Sequence, residues 1–127
     1  MAKVYIDTNF LLIPYQFKVD IFTEIKRLLE EPAEMVIVEK TFQELANVIK
    51  TANMKDKTAA KMALQLIKQK HLKADASFLD RSVDDILLSI AKPGDYVATQ
   101  DAGLKRKLKS KKIKIITLKN KKYLSFG

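Results

Sequence analysis

The stretch Val4-Tyr5-Ile6-Asp7-Thr8-Asn9, followed by Phe10-Leu11-Leu12, decides the fold of this chain. A short apolar run that is rich in β-branched and aromatic residues is typical of a buried strand, here from Lys3 to Asp7. A carboxylate at the carboxyl end of such a strand is costly to bury unless it is paired. In open parallel sheets, ligands bind outside the carboxyl ends of the strands. The stretch therefore predicts that Asp7 anchors an acidic metal site.

Strand-like and helix-like patterns alternate along the rest of the chain. Continuous apolar runs predict further strands at residues 35–38, 96–98 and 113–118. Apolar residues at helical spacing predict helices that begin near residues 20, 41, 55, 82 and 102. The remaining segments read as an irregular connector at 14–19, a loop or short extended piece at 71–81, and a short edge strand at 123–126.

This alternation predicts an α/β fold. Strands that alternate with helices form parallel sheets through right-handed crossover connections. We therefore expect one domain over residues 1–127, with a three-layer α/β/α architecture and a parallel four- or five-stranded sheet.

The composition limits which ligands and which surroundings the chain can use. There are no cysteines and one histidine, His71, so a bound metal must be held by oxygen ligands, which favours Mg2+ or Mn2+ over zinc. No apolar run approaches the roughly 20 residues that span a bilayer. The first strand begins almost at the amino terminus and leaves no room for a signal peptide. We therefore expect a cytoplasmic protein with no membrane partner.

Positive charge is concentrated at the end of the chain. There are 24 Lys and Arg against 15 Asp and Glu, which gives a net charge of +9, and no acidic residue follows Asp101. A basic surface of this kind indicates a polyanionic partner, with nucleic acid as the first candidate. A lysine-rich solvated surface in a heat-adapted protein explains the same charges. Charge alone leaves both interpretations open.

Further acidic residues lie where predicted strands end or predicted helices begin: Glu44, Asp84, Asp85 and Asp101. Each has a local structural explanation. Glu44 completes a capping box with Thr41, while Asp84 and Asp85 suit the helix dipole and Asp101 can cap the next helix. Together with Asp7, however, they lie at one end of the sheet, where crowded carboxylates repel unless a divalent cation neutralises them. An acidic site beside a basic surface is typical of a nuclease that uses one or two metal ions.

The order of these segments resembles the PIN domain over essentially the whole chain. The resemblance is carried by Val-Tyr-Ile-Asp-Thr-Asn at 4–9, Thr-Phe-Gln-Glu-Leu at 41–45, Val-Asp-Asp-Ile-Leu-Leu-Ser-Ile-Ala at 83–91 and Val-Ala-Thr-Gln-Asp at 97–101. PIN domains are metal-dependent ribonucleases on a parallel α/β/α sheet. The resemblance therefore implies Mg2+ or Mn2+ as the cofactor, and an endoribonuclease that hydrolyses RNA phosphodiester bonds.

The resemblance also implies which residues are catalytic and hold the metal: Asp7, Glu44, Asp84 and Asp101. Asp84 is preferred to Asp85 because its distance from Ala91 fits the family's helix motif, and Asp85 is a secondary candidate. Thr99 resembles the small hydroxyl residue often placed beside the site. Asn9 resembles a polar neighbour that orients Asp7.

Two cellular roles follow from resemblances within the family. Residues 13–22 and 121–124 look similar to archaeal PIN proteins related to the endonucleases of small-subunit rRNA processing. The chain length also fits VapC-type toxins of toxin–antitoxin pairs. The implied partners are RNA, a cognate antitoxin or a pre-ribosomal particle, and a second copy of the chain in a homodimer.

Two functions of other classes are the alternatives. One is an RNA-binding scaffold of PIN fold whose acidic site is vestigial. The other is a receiver-type signalling domain, which the sequence disfavours because a receiver requires an acidic pair after its first strand, and here the apolar Ile6 precedes Asp7.

Overall fold

A six-stranded sheet forms the centre of the fold in the computed structural model, which describes residues 1–127. Its strands are β1 (Ala2–Ile6), β2 (Ala33–Val38), β3 (Lys73–Asp75), β4 (Tyr96–Ala98), β5 (Lys114–Lys119) and β6 (Tyr123–Phe126). They lie in the order β3-β2-β1-β4-β5-β6, and every neighbouring pair is parallel except β5 and β6. The prediction of an α/β fold on a parallel sheet is confirmed. The predicted edge strand at 123–126 is β6, and it is antiparallel to β5. The ambiguous segment contributes β3, so the sheet has one strand more than the five expected.

Six α-helices cover the two faces of the sheet and complete the three layers. They are α1 (Ile13–Phe17), α2 (Ile21–Leu28), α3 (Lys40–Thr51), α4 (Met54–Gln69), α5 (Val83–Ile90) and α6 (Ala102–Ser110). Side chains alternate across β1, so that Val4 and Ile6 join one apolar cluster and Tyr5 joins the other. Helices α1 to α4 fill the first cluster, and α5 and α6 fill the second. None of these helices combines the length and the apolar composition that a bilayer span requires.

The segment after β1 is helical. Thr8–Leu12 form a 3₁₀ helix, and α1 follows directly with Pro14 at its second residue. A proline is tolerated in a first turn because the amide that it lacks has no partner within the helix there. The prediction of an irregular connector is therefore wrong for residues 14–17, since burial of Ile13 and Pro14 against the core stabilises the helical turn.

Helix α3 does not begin with the predicted capping box. Its cap residue is Glu39, whose side chain accepts no helix hydrogen bond, and Thr41 lies inside the first turn. The buried Thr41 hydroxyl is instead 2.9 Å from the hydroxyl of Thr8. The interpretation of Glu44 as a first-turn capping acid is therefore wrong, because Thr41 makes a tertiary contact in place of the cap and Glu44 lies in the second turn.

The sheet has a topological switch point between β1 and β4. From β1 the chain moves outward to β2 and β3, and it then returns to the other side of β1 to form β4 and β5. Connections that leave two adjacent strands in opposite directions open a crevice at the carboxyl ends, where α/β sheets bind ligands. The amide of Asp7 donates to the carbonyl of Ala98 at 3.0 Å, so the pairing of β1 with β4 continues to the floor of this crevice.

The outer edge of β6 is covered by two side chains of α2. The Glu24 carboxylate accepts a hydrogen bond from the backbone amide of Leu124 at 3.0 Å, and the Arg27 guanidinium donates to the Leu124 carbonyl at 2.9 Å. Glu24 and Arg27 also form an ion pair with each other at 3.0 Å. These contacts occupy backbone groups that an edge strand otherwise presents to a strand of another chain.

We expect Glu24→Ala to lower the free energy of unfolding by about 1 kcal/mol. The variant removes the acceptor of the Leu124 amide and the carboxylate partner of Arg27. Urea denaturation of the two proteins measures the difference. Glu30→Ala, at an exposed residue beyond the end of α2, is the matched control and should match the wild-type chain. Equal stability of Glu24→Ala and wild type would show that α2 does not stabilise the edge of the sheet.

Candidate active site

Asp7 lies at the switch point and is held there by two hydrogen bonds. Only 5% of the residue is exposed. One carboxylate oxygen, Oδ1, accepts from the backbone amide of Thr8 at 2.8 Å, and Oδ2 accepts from the hydroxyl of Thr99 at 2.8 Å. Thr99 directly follows β4, so its hydroxyl joins the ends of the two strands on either side of the switch point. The carboxylate therefore has a fixed position at the floor of the crevice.

The predicted orienting residue is not the one that contacts Asp7. Asn9 is exposed and its side chain makes no hydrogen bond to the Asp7 carboxylate. The Thr8 amide and the Thr99 hydroxyl hold both oxygens, because the 3₁₀ helix turns the Asn9 side chain outward to solvent while β4 brings Thr99 alongside.

Asp101 also contacts the Thr99 hydroxyl, through a hydrogen bond from its backbone amide. The backbone amide of Asp101 donates to the Thr99 hydroxyl oxygen at 3.1 Å. Asp101 is the amino-terminal cap of α6, and its Oδ1 accepts from the amide of Leu104 at 2.8 Å. The local capping explanation of Asp101 is therefore correct. Its other oxygen, Oδ2, accepts no hydrogen bond from the protein and is available to a ligand.

The contact between Thr8 and Thr41 brings α3 to the crevice. Thr41 and Glu44 lie three residues apart and so share a face of that helix. Because the Thr41 hydroxyl contacts the residue that follows Asp7, the half-buried Glu44 is carried toward the same region. Sequence reasoning gave these threonines no part in the site. The position of Thr8 directly after Asp7 is the one signal that could have identified it.

Asp84 and Asp85 lie in the first turn of α5, as the sequence indicated. The Ser82 hydroxyl caps this helix by accepting from the amide of Asp85 at 3.2 Å. Asp84 is half-buried and Asp85 is exposed. Asp84 is therefore the less exposed of the two neighbours.

Burial and the charges of neighbouring carboxylates raise the pKa values of two site residues, Asp7 and Asp84. Burial raises the pKa of Asp7 from 3.8 to about 6, against the lowering effect of the Thr99 hydrogen bond, and the charges of Asp84 and Glu44 add to the rise. The pKa of Asp84 is also raised, first by burial and then by Asp101, Glu44 and Asp85, while Lys107 lowers it. The charges of Glu44 and Asp84 therefore act on Asp7, and those of Glu44 and Asp101 act on Asp84.

The chemistry of this donor set fits a hard divalent cation. All four side chains are carboxylates, and the single histidine, His71, is exposed just beyond the end of α4. No three His, Asp or Glu side chains are arranged as a set that could hold a metal ion in the positions described. Asp7, which its two donors hold in place, would be the fixed ligand of such a cation, with Glu44, Asp84 and Asp101 as the further carboxylates.

The fold and the site together define a class, the parallel α/β/α domains with an acidic cluster at the switch point of the sheet. Within this class, the family described as a PIN like domain matches residues 4–121. This chain belongs to the PIN like domain family, and the family membership that the sequence motifs predicted is confirmed.

Two known proteins are similar to the chain over nearly its whole length. It is 33% identical to Ribonuclease VapC4 of Methanocaldococcus jannaschii, over 130 residues that cover 100% of this chain and 98% of that protein. Its structure matches that of the PIN domain endonuclease Utp24 with a TM-score of 0.79, at 22% identity over 98% of this chain and 90% of that one. At this identity, the likeness to Utp24 concerns the fold alone.

The raised pKa of Asp7 makes stability depend on pH. Between its ordinary pKa of 3.8 and about 6, the folded chain binds the proton more tightly than the unfolded chain does. The contribution of Asp7 to the free energy of unfolding should therefore fall as pH rises through this window, by roughly 3 kcal/mol in total. Urea denaturation of wild type and Asp7→Asn in EDTA at a series of pH values measures this decline as the difference between the two proteins.

Asp7→Asn should remove this decline. Near pH 7 we expect the variant to be more stable than wild type by roughly 1–3 kcal/mol, and near pH 3 the advantage should vanish. Asp80→Asn, which changes an exposed aspartate before α5, is the matched control and should follow the wild-type profile. An Asp7→Asn variant that declines as wild type does would show that Asp7 carries no unfavourable buried charge.

Proposed function

We propose that this protein is an endoribonuclease that hydrolyses RNA phosphodiester bonds with Mg2+ or Mn2+. The observation that carries the proposal is the buried carboxylate of Asp7, which Thr8 and Thr99 hold at the switch point of the sheet. The charges of Glu44 and Asp84 raise its pKa further, and Asp101 raises that of Asp84. Crowded carboxylates around a buried one are unfavourable in the free protein. A divalent cation neutralises them, and carboxylate oxygens are the ligands that Mg2+ prefers.

Charge and family support RNA as the substrate. The chain carries a net charge of +9, which favours binding of a polyanion such as RNA. The relative that matches the whole chain at 33% identity is named a ribonuclease. We infer the same reaction class for this protein.

In the proposed mechanism Asp7, Glu44, Asp84 and Asp101 would hold the metal, with Asp85 as the secondary candidate. When bound, a divalent cation supplies a Lewis acid for the phosphoryl oxygen and lowers the pKa of a coordinated water. The chain contributes orientation, because the Thr8 amide and the Thr99 hydroxyl hold Asp7 in one position. Lys107, whose charge acts on Asp84, offsets part of the negative charge when an RNA phosphate enters the crevice.

The proposed reaction serves either of the two predicted roles, an rRNA-processing factor or a VapC-type toxin. Both roles require the same site and differ in the RNA that reaches it and in the partner, a pre-ribosomal particle or an antitoxin. Crosslinking in cells, followed by sequencing of the bound RNA, distinguishes them. Recovery of precursor rRNA supports the processing role, and recovery of tRNA or mRNA supports the toxin role.

The first prediction of the proposal concerns cleavage. We expect Asp7→Asn and Asp84→Asn to abolish Mn2+-dependent cleavage of an RNA oligonucleotide while the circular dichroism spectrum of the fold is retained. Each variant removes one negative charge and one oxygen ligand from the site. Asp85→Asn, on the adjacent exposed residue, should retain most of the activity.

Three outcomes contradict parts of the proposal. An Asp84→Asn variant that cleaves at the wild-type rate, beside an inactive Asp85→Asn variant, would reassign the ligand to Asp85. Retention of activity by Asp7→Asn would remove Asp7 from the site. RNA binding by the wild-type chain without any metal-dependent cleavage would favour the scaffold function over the nuclease.

The second prediction concerns metal binding in the absence of RNA. Mn2+ at about 100 times its dissociation constant should stabilise the wild-type chain by roughly 2.7 kcal/mol. Thermal denaturation with increasing Mn2+ measures this as a rising midpoint, and EDTA should reverse it. The shift should be much smaller in Asp84→Asn. An equal shift in both proteins would place the ion elsewhere.

A further inference from the structure

Three lysines form a cluster on the α5–α6 side of the fold, beside the end of β5. Lys105 and Lys109 lie one turn apart and so share a face of α6. The Lys105 ammonium donates to the hydroxyl of Thr117 at 2.7 Å. Lys119, which ends β5, lies on the same side of that strand as Thr117 because side chains alternate along a strand. The Lys105–Thr117 contact therefore gathers the three lysines at the carboxyl end of β5.

The position of Lys105 is set by hydrogen bonds that begin beside the active site. Only 2% of Thr117 is exposed, and its hydroxyl donates to Oε1 of Gln100 at 2.7 Å. The same Gln100 oxygen accepts from the backbone amide of Leu118 at 2.6 Å. Gln100 lies between Thr99 and Asp101 in the chain. These contacts hold the Lys105 ammonium at a fixed place relative to the acidic cluster, and two of its three protons remain for another acceptor.

No carboxylate neutralises this lysine cluster. The two ion pairs of the structure lie within α2 and between β2 and β3, so none of the three lysines has an acidic partner. Partial burial lowers the pKa of Lys105, and the charges of Lys119 and Lys109 lower it further. Cations gathered without a counter-charge repel one another, and an anion bound between them would relieve that repulsion.

The location of the cluster defines which part of an RNA it would contact. Neighbouring strands lie about 4.8 Å apart, so β5 is about 10 Å from β1 and from the residue that follows it, Asp7. At this distance the Lys105 ammonium does not reach a phosphate placed against Asp7, but it does reach one further along the same strand of RNA. Resting on the ribonuclease function proposed above, we propose that Lys105, Lys109 and Lys119 form a second phosphate site, which binds the RNA backbone beside the cleaved bond.

The salt dependence of RNA binding tests this site because its slope is proportional to the number of phosphate contacts. The probe is a labelled single-stranded RNA oligonucleotide, bound to the full chain in EDTA so that no divalent ion supports cleavage. For single strands, each phosphate contact contributes about 0.7 to the slope of log Kd against log salt concentration. We expect Lys105→Met to weaken binding at low salt and to reduce the slope by about 0.7.

Two variants serve as controls. Lys105→Arg keeps the charge and should keep the wild-type slope. Lys61→Met removes an exposed lysine from α4, on the opposite face of the sheet, and should also leave the slope unchanged. If Lys105→Met does not fold, Lys119→Met at an exposed residue of the same cluster should show the same reduction.

The outcomes separate this site from the proposed function. A wild-type slope in both Lys105→Met and Lys119→Met would overturn the second phosphate site while RNA binding and cleavage stand. An equal reduction in Lys61→Met would overturn it as well, since the effect would then belong to net charge alone. A reduced slope that is specific to the cluster, in a chain that cleaves no RNA with Mn2+, would support the site and contradict the nuclease. A wild-type chain that binds no RNA would overturn both.

Discussion

The carboxylate of Asp7 is buried at the junction of β1 and β4, where it loses most of its hydration and feels the charges of Asp84 and Glu44. Burial alone would favour the protonated acid. Two hydrogen bonds oppose that tendency, because the Thr8 amide and the Thr99 hydroxyl both stabilise the ionised form. The hydrogen bonds offset only part of the effect of burial, so the pKa of Asp7 is raised to about 6. A protein that keeps such a group at the floor of a crevice gives up stability there, and a bound cation would recover it.

The carboxylates at the carboxyl edge of the sheet form no ion pair with a basic side chain of the protein. Twenty-four basic residues are available, yet only two ion pairs form and neither involves a site carboxylate. The Lys105 ammonium donates to Thr117, whose hydroxyl donates to Gln100, and Lys105 pairs with no carboxylate. Negative charge at the switch point and positive charge beside it therefore coexist in one crevice region. This arrangement suits an RNA substrate bound together with a metal ion. The phosphates would neutralise the lysines, and the metal ion would neutralise the carboxylates.

Much of this arrangement could be predicted because it depends on local pattern. The apolar run before Asp7, the Val97-Ala98-Thr99 run before Asp101 and the Ser82 cap before Asp84 each have a signature in a few consecutive residues. The capping box at Thr41 had such a signature too, and it was wrong. A threonine hydroxyl has several possible partners, and the contact that Thr41 makes is to Thr8, thirty-three residues earlier. Short-range patterns indicate the possible hydrogen-bond partners of a polar side chain, and the packed structure determines which partner it contacts.

The sequence by itself determined the alternation of strands and helices, the family, and the set of carboxylates, because hydrophobic spacing and motif order are properties of consecutive residues. Only the tertiary structure decided which groups orient Asp7, how far each acid acts on the others, and which lysines stand together without a counter-charge. Those properties depend on pairs such as Asp7 with Thr99 and Lys105 with Thr117, which are distant in the chain and adjacent in space. Burial and charge–charge effects arise from that adjacency, and so they appear only once the sheet has been assembled.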